Sequence, residues 1–175
     1  MTTLFQRLLD PTAFATLPAR VRKIHEALQT KTYRGQTDIE RGSGFLAGVL
    51  AAATFLPSSG ANIDTEVEIA VSPDGERWTR NFGGRRMRSQ LWSADGLLCE
   101  RLGLATFGFG LSVENGVLFW RLHHISSLGI PLPAKWFDGV VAREFEEDGR
   151  YRFDVRAALP FVGLLVHYRG WLDVD

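Results

Sequence analysis

Apolar and polar residues alternate with a period of two through most of residues 62–175. Ile63, Thr65, Val67, Ile69 and Val71 fall on one side of an extended chain, and Asn62, Asp64, Glu66 and Glu68 fall on the other. The pattern returns at Trp78, Arg80 and Phe82, and at Ala105, Phe107, Phe109, Leu111 and Val113. It returns again at Tyr151, Phe153, Val155, Ala157 and Leu159, and at Val162, Leu164, Val166, Tyr168 and Leu172. Between these runs stand Asp74-Gly75, Gly83-Gly84, Asp95-Gly96, Asn115-Gly116 and Asp148-Gly149. Such pairs supply the positive φ values of tight hairpin turns. Alternation punctuated in this way predicts an antiparallel meander.

Before residue 62 the period changes. Leu4, Phe5, Leu8 and Leu9 have helical spacing that Asp10-Pro11 is expected to end, and Pro18 opens a second helical run with Val21, Ile24, His25 and Leu28. Lys31 to Arg41 reads as a first strand. Residues 44–56 are apolar almost all round, which predicts a buried helix. Residues 126–136 contain Pro131 and Pro133 and read as an apolar crossing loop, because proline is excluded from central strands. The expected fold class is α+β, mainly β. It is a strongly curved antiparallel meander sheet or open β-barrel of about nine or ten strands, with short N-terminal helices and one apolar helix packing on it. A single domain is expected over residues 1–175, with helices plus the first strand in 1–60 and the meander in 62–175.

Composition changes this picture little. With 175 residues, 45% of them apolar and 23% charged, the chain is an ordinary globular one that can bury a core without staples. Twenty basic residues balance twenty acidic ones and the pI is about 6.9, so no global field favours nucleic acid or membrane. Arg77, Arg80, Arg85, Arg86 and Arg88 crowd one hairpin, where a solvated strand face accounts for them. Cys99 is the sole cysteine, which excludes an internal disulfide and a thiolate zinc site and fits a reducing cytoplasm. Residues 1–11 lack a basic region followed by an apolar core, so no leader is expected. The longest apolar run, residues 45–57, falls short of the roughly 20 residues of a membrane-spanning helix, and no integral membrane segment is expected.

The segments Gly75-Glu76-Arg77-Trp78-Thr79-Arg80-Asn81-Phe82-Gly83, Leu128-Gly129-Ile130-Pro131-Leu132-Pro133 and Gly163-Leu164-Leu165-Val166-His167-Tyr168-Arg169-Gly170-Trp171-Leu172 resemble a bacterial family known only as a domain of unknown function. The likeness spans nearly the whole chain and is most specific in the last segment. It implies a bacterial soluble domain that occurs alone or appended to an NAD(P)-binding domain of the short-chain or saccharopine dehydrogenase type. It implies no activity and carries over no catalytic residue.

Motif chemistry is sparse. Gly108-Phe109-Gly110 sits in a strand pattern without the Gly-x-Gly-x-x-Gly that precedes a helix, so no dinucleotide or other cofactor is expected. Adjacent strand residues face opposite sides, so His123 and His124 are not expected to chelate jointly, and no metal is expected. Glu144, Glu146, Glu147 and Asp148 read as a solvated hairpin end. No Gly-x-Ser-x-Gly elbow accompanies Ser126-Ser127, and no catalytic residue is assigned. The most suggestive constellation is Trp78, Arg80 and Phe82 on one face of one strand, with Arg121, His123, His167, Arg169 and Trp171 as companions. An arginine between two aromatics is expected to be buried, paired either with a carboxylate such as Glu76 or Asp154 or with the anionic head of a ligand.

These residues predict a cytoplasmic, non-enzymatic binding module. Its ligand would be a small hydrophobic, lipid-like metabolite, with an anionic head as the form the arginines favour. An accessory domain docking on an NAD(P)-dependent oxidoreductase through residues 128–136 is the alternative. A small enzyme with His167 or His123 as general base is the second alternative.

Overall fold

The computed structural model of the chain describes residues 2–43, 58–160 and 162–175. The apolar helix expected at 44–56 lies outside the described residues, and so does Phe161. Three short helices come first: α1 (Leu4–Leu8), α2 (Pro11–Ala15) and α3 (Ala19–Glu26). Strands β1 (Lys31–Arg41), β2 (Gly60–Ser72), β3 (Gly75–Phe82), β4 (Arg85–Ala94), β5 (Leu97–Leu102) and β6 (Ala105–Glu114) follow. Then come β7 (Val117–Ser127), the short β8 (Ile130–Leu132), a 3₁₀ helix (Ala134–Phe137), β9 (Gly139–Glu147), β10 (Arg150–Leu159) and β11 (Gly163–Asp173).

All pairings are antiparallel, and the sheet closes on itself. β1 pairs with both β2 and β11, so the first strand meets the last. β7 pairs with β6 on one side and β9 on the other, which completes a closed barrel of ten strands. Closure removes the free edges that an open sheet would have to protect. β8 is the exception to the meander. It makes a hairpin outside the ring against the end of β7, with Pro131 on an edge where no ladder hydrogen bond is lost. The expected crossing loop is therefore this small hairpin plus the 3₁₀ helix.

Asp10 does not simply end a helix as expected. Its carboxylate accepts from the backbone N–H groups of Thr12 and Ala13, and Pro11 takes the first position of α2, where a missing N–H costs nothing. The three helices plug one mouth of the barrel with Phe5, Phe14, Leu17, Val21 and Ile24, all buried. Phe5 is fully buried. Its ring stacks on His25 at 3.7 Å and leans on Trp120 at 5.5 Å. The opposite mouth has no helical plug among the described residues.

A ten-stranded barrel is wider than the roughly eight-stranded size that side chains alone fill. The inward row confirms the period-two reading: Val67, Trp78, Arg80, Phe82, Phe109, Trp120, Tyr151, Phe153, Tyr168 and Leu172 all line the interior. The outer face carries Arg34, Glu66, Arg77, Arg88, Arg143 and Arg156. That polarity is the reverse of a membrane-spanning barrel, whose outer band is apolar. No helix among the described residues is long and apolar enough to cross a membrane.

Candidate functional site

A charged bracket lies inside the barrel. Arg80 on β3 donates through Nη1 to Ser89 Oγ on β4 at 2.9 Å and through Nη2 to Glu100 Oε1 on β5 at 3.2 Å. Three successive strands thus aim Arg80, Ser89 and Glu100 at one another. The guanidinium carbon of Arg80 lies over the Trp78 ring, 4.9 Å from its centroid. Burial works against the charge on Arg80, but the neighbouring Glu100 carboxylate outweighs it and holds the guanidinium above its ordinary pKa. Tyr168 lines the same space, and burial pushes its phenol up to about 12. The carboxylate expected beside Arg80 is therefore present, but it is Glu100. Glu76 instead accepts from Trp78 Nε1 at 2.8 Å, and Asp154 lies outside the barrel wall.

Next to this bracket, at the mouth opposite the helices, lies an apolar cavity of about 220 Å³. Leu102, Phe107, Ile125, Val155, Ala157 and Val166 form its wall, and Glu100 and Tyr168 form its floor. A smaller hollow of about 80 Å³ continues inward past Trp78, Arg80 and Tyr151, sharing Phe109, Val140 and Val155 with the outer one. A dry cavity of about 150 Å³ is enough to hold benzene, so the outer space has the size for a small apolar group.

The structure brings together three of the eight residues singled out in the sequence, Trp78, Arg80 and Phe82, and puts five elsewhere. His167, Arg169 and Trp171 alternate with the inward-facing Val166, Tyr168 and Leu172 and so lie on the outer face. There His167 Nε2 lies 2.8 Å from Asp154 Oδ1, whose other oxygen accepts from Arg143 at 2.6 Å. Burial raises the Asp154 pKa, and the hydrogen bonds from Arg143 and His167 more than reverse that, so the carboxyl sits below its usual range. Trp171 is covered by the Arg150 guanidinium at 4.2 Å. Arg121 pairs with Glu114 at 2.8 Å and stacks over Phe119.

His123 departs from the expected geometry. A β-bulge shifts the register where Gly108 faces His124 and Phe109 faces Leu122. The extra residue puts both adjacent histidines on the same outer face: His124 lies over Gly108 and His123 over Gly110. A Cβ at either glycine would collide with the ring above it. The glycines of β6 are there for this close approach, as glycine inside a strand suggests. No group of three or more His, Cys, Asp and Glu side chains suited to a metal ion occurs among the described residues.

A second polar cluster lies under the helical plug. His25 of α3, with its side chain fully buried, meets Glu144 of β9 at 2.5 Å through Nε2. Tyr151 is close enough to feel the same carboxylate: burial first, and then Glu144, push its phenol well above the ordinary pKa. Two residues on, Glu146 accepts from the backbone N–H of Arg20 at 3.0 Å and caps the start of α3. Glu76 sits close by, and burial raises its pKa above the ordinary carboxylate value. Glu144 and Glu146 are therefore not the solvated hairpin end expected. The signal was available: Val140, Ala142 and Glu144 share one parity, and the apolar members of that row already faced inward.

A family model described as Domain of unknown function (DUF4166) matches residues 17–172. The chain belongs to this family. The match takes in the barrel wall up to Leu172, the Arg80–Glu100 bracket and helix α3, and leaves out α1 and α2. No curated protein matches the chain. The expected membership in a family known only as a domain of unknown function thus holds. In the fold, 75–83 is β3 with Trp78 and Arg80, 128–133 is the β8 hairpin, and 163–172 is the strand that closes the barrel.

Proposed function

We propose that this barrel binds a small, largely hydrophobic ligand that enters at the mouth opposite the helices. The observation that carries the reading is the apolar cavity of about 220 Å³ ending on Glu100 and Tyr168. An apolar wall with a few convergent polar groups at its base is the ordinary build of a small-molecule site. The Arg80 charge is already answered by Glu100, so the base of the cavity favours a neutral polar end such as a hydroxyl or amide over a free carboxylate. Trp78, Arg80 and Phe82 contribute the inner wall of this site, and the five outward residues do not.

The setting we propose is the cytoplasm of a bacterium, with the domain acting alone or beside an NAD(P)-dependent oxidoreductase. The family resemblance supports this setting. The test of ligand binding is denaturing extraction of the purified protein followed by mass spectrometry. A stoichiometric, reproducible apolar metabolite supports the reading, and a protein that neither carries one nor takes up any from a lipid extract overturns it.

A further inference from the structure

The outer wall of the barrel sorts its charges unevenly. Arg77 of β3, Arg86 and Arg88 of β4 and Arg101 of β5 are all exposed on three neighbouring strands. The only acids in those strands, Glu76 and Glu100, point inward. Elsewhere on the wall arginines stand beside carboxylates: Arg34 on Glu66, Arg143 on Asp154 and Arg152 on Glu147. Arg77, Arg86, Arg88 and Arg101 meet no carboxylate among the described residues.

The register sets three of them round one point. Gln90 lies opposite Arg77 on one side and opposite Arg101 on the other, and its Oε1 accepts from Arg101 at 2.7 Å. Arg77 and Arg101 are therefore two strand spacings apart, about 10 Å. Arg88 is two residues from Gln90 along the middle strand, about 7 Å away on the same face. A groove of about 520 Å³ lies among the three arginines, lined also by Thr79 and Gln90, with Glu68 of β2 as its one acid. Asp64 and Glu66 lie further along β2, and Asp74 and Asp95 stand in hairpin turns outside the groove. Like charges on adjoining strands repel, so this cluster costs the free protein stability that a bound anion would restore.

We propose that this groove binds the diphosphate or triphosphate group of a small soluble ligand, held by Arg77, Arg88 and Arg101. A guanidinium presents paired N–H donors that match two phosphate oxygens. Three such forks ask for about six oxygens, and a phosphate monoester offers about three, so the arrangement favours a chain of phosphates over one. The excess of positive charge is local to the groove in a chain whose net charge is zero. The site lies outside the barrel and does not depend on the interior binding an apolar ligand.

The test is calorimetric titration and thermal melting with tripolyphosphate at fixed ionic strength. The proteins are wild type, Arg88→Gln, Arg101→Gln, Glu68→Gln and, from a distant part of the wall, Arg156→Gln. Wild type is expected to bind one tripolyphosphate per chain and to melt about 2–4 °C higher with it. Each groove arginine variant loses charge-assisted hydrogen bonds and is expected to bind roughly tenfold weaker. Arg88→Gln should melt no lower than wild type without the anion, which separates lost binding from lost folding. Glu68→Gln is expected to bind tighter, Arg156→Gln to match wild type, and a single-stranded oligouridylate to bind wild type no tighter than tripolyphosphate. Four results overturn the proposal: no tripolyphosphate binding by wild type, binding that neither Arg88→Gln nor Arg101→Gln weakens, equal weakening by Arg156→Gln, or tighter binding of the oligouridylate, which would make the face a nucleic-acid surface.

Discussion

Arg80 and Glu100 meet at 3.2 Å inside the barrel, from strands that are not neighbours, with Ser89 of the intervening strand bonded to the same guanidinium. The pair is buried from both sides, with side-chain exposures of 10% and 12%. Removing one partner of such a pair leaves an uncompensated charge in an apolar space, which costs about 3–5 kcal/mol. Arg80→Ala and Glu100→Ala are each expected to lose that much stability in denaturant unfolding. Arg80→Met/Glu100→Leu should recover most of it, because the desolvation cost disappears with both charges. Arg77→Ala, on the outer face of the same strand, should shift stability by no more than about 0.5 kcal/mol.

Glu76 gives a pH dependence whose sign follows from its burial. Its folded pKa is raised above the unfolded value of 4.5, so the folded state holds a proton that the unfolded state has released. Stability from this group is full below the unfolded pKa and declines as pH rises through the raised folded pKa. Glu76→Gln keeps an acceptor for Trp78 Nε1 and removes the buried charge. The variant is expected to melt higher than wild type near neutral pH, with the difference shrinking as pH falls toward the unfolded pKa. A difference that grows on acidification contradicts this.

The helical plug is held by His25 on Glu144 and by the α3 start on Glu146. His25→Ala removes a ring stacked on Phe5 and leaves Glu144 with one partner fewer. The expected loss is roughly 2–4 kcal/mol, concentrated at the plugged mouth. Hydrogen exchange should show faster exchange in α1–α3 while β1, β2 and β11 stay protected. Uniform loss of protection through the barrel would show that the plug and the wall unfold together.

Leu128→Asn is expected to stabilise the fold by about 1 kcal/mol, since Leu128 has a φ of +51° and a left-handed leucine costs roughly 1–2 kcal/mol that asparagine largely avoids. A thermal melt reads this as a rise of about 2–4 °C for a chain of this size. Asp95→Leu and Asn115→Leu, at equivalent turn positions, should lower the melting temperature by a comparable amount.

The meander was legible because its two signals agree. Glycine turns mark the ends of strands whose alternation marks the faces, and a one-residue error in either would have broken the other. The inward set at Trp78, Arg80 and Phe82 followed from that parity alone. The identity of Arg80's partner did not, because Glu100 is twenty residues away and reaches Arg80 only through the stagger of β4 against both neighbours. Closure was equally silent, since the pairing of β1 with β11 and of β6 with β7 joins segments whose local patterns are complete without it. His123 and His124 share a face through a bulge that alternation by itself predicts against. Choosing His167, Arg169 and Trp171 followed the chemistry of the side chains and set aside the apolar parity of Val166, Tyr168 and Leu172, which faces inward.

The central claim is that the cavity above Glu100 and Tyr168 takes an apolar ligand. The most direct measurement is a fluorescence titration with nile red against wild type and Val155→Trp. Val155 lines both the outer and inner hollows, and an indole at that position fills space that the probe needs. The account predicts saturable binding at one probe per chain in wild type and its loss in a Val155→Trp protein that still melts cooperatively. Equal binding by both proteins, or none by wild type, contradicts it.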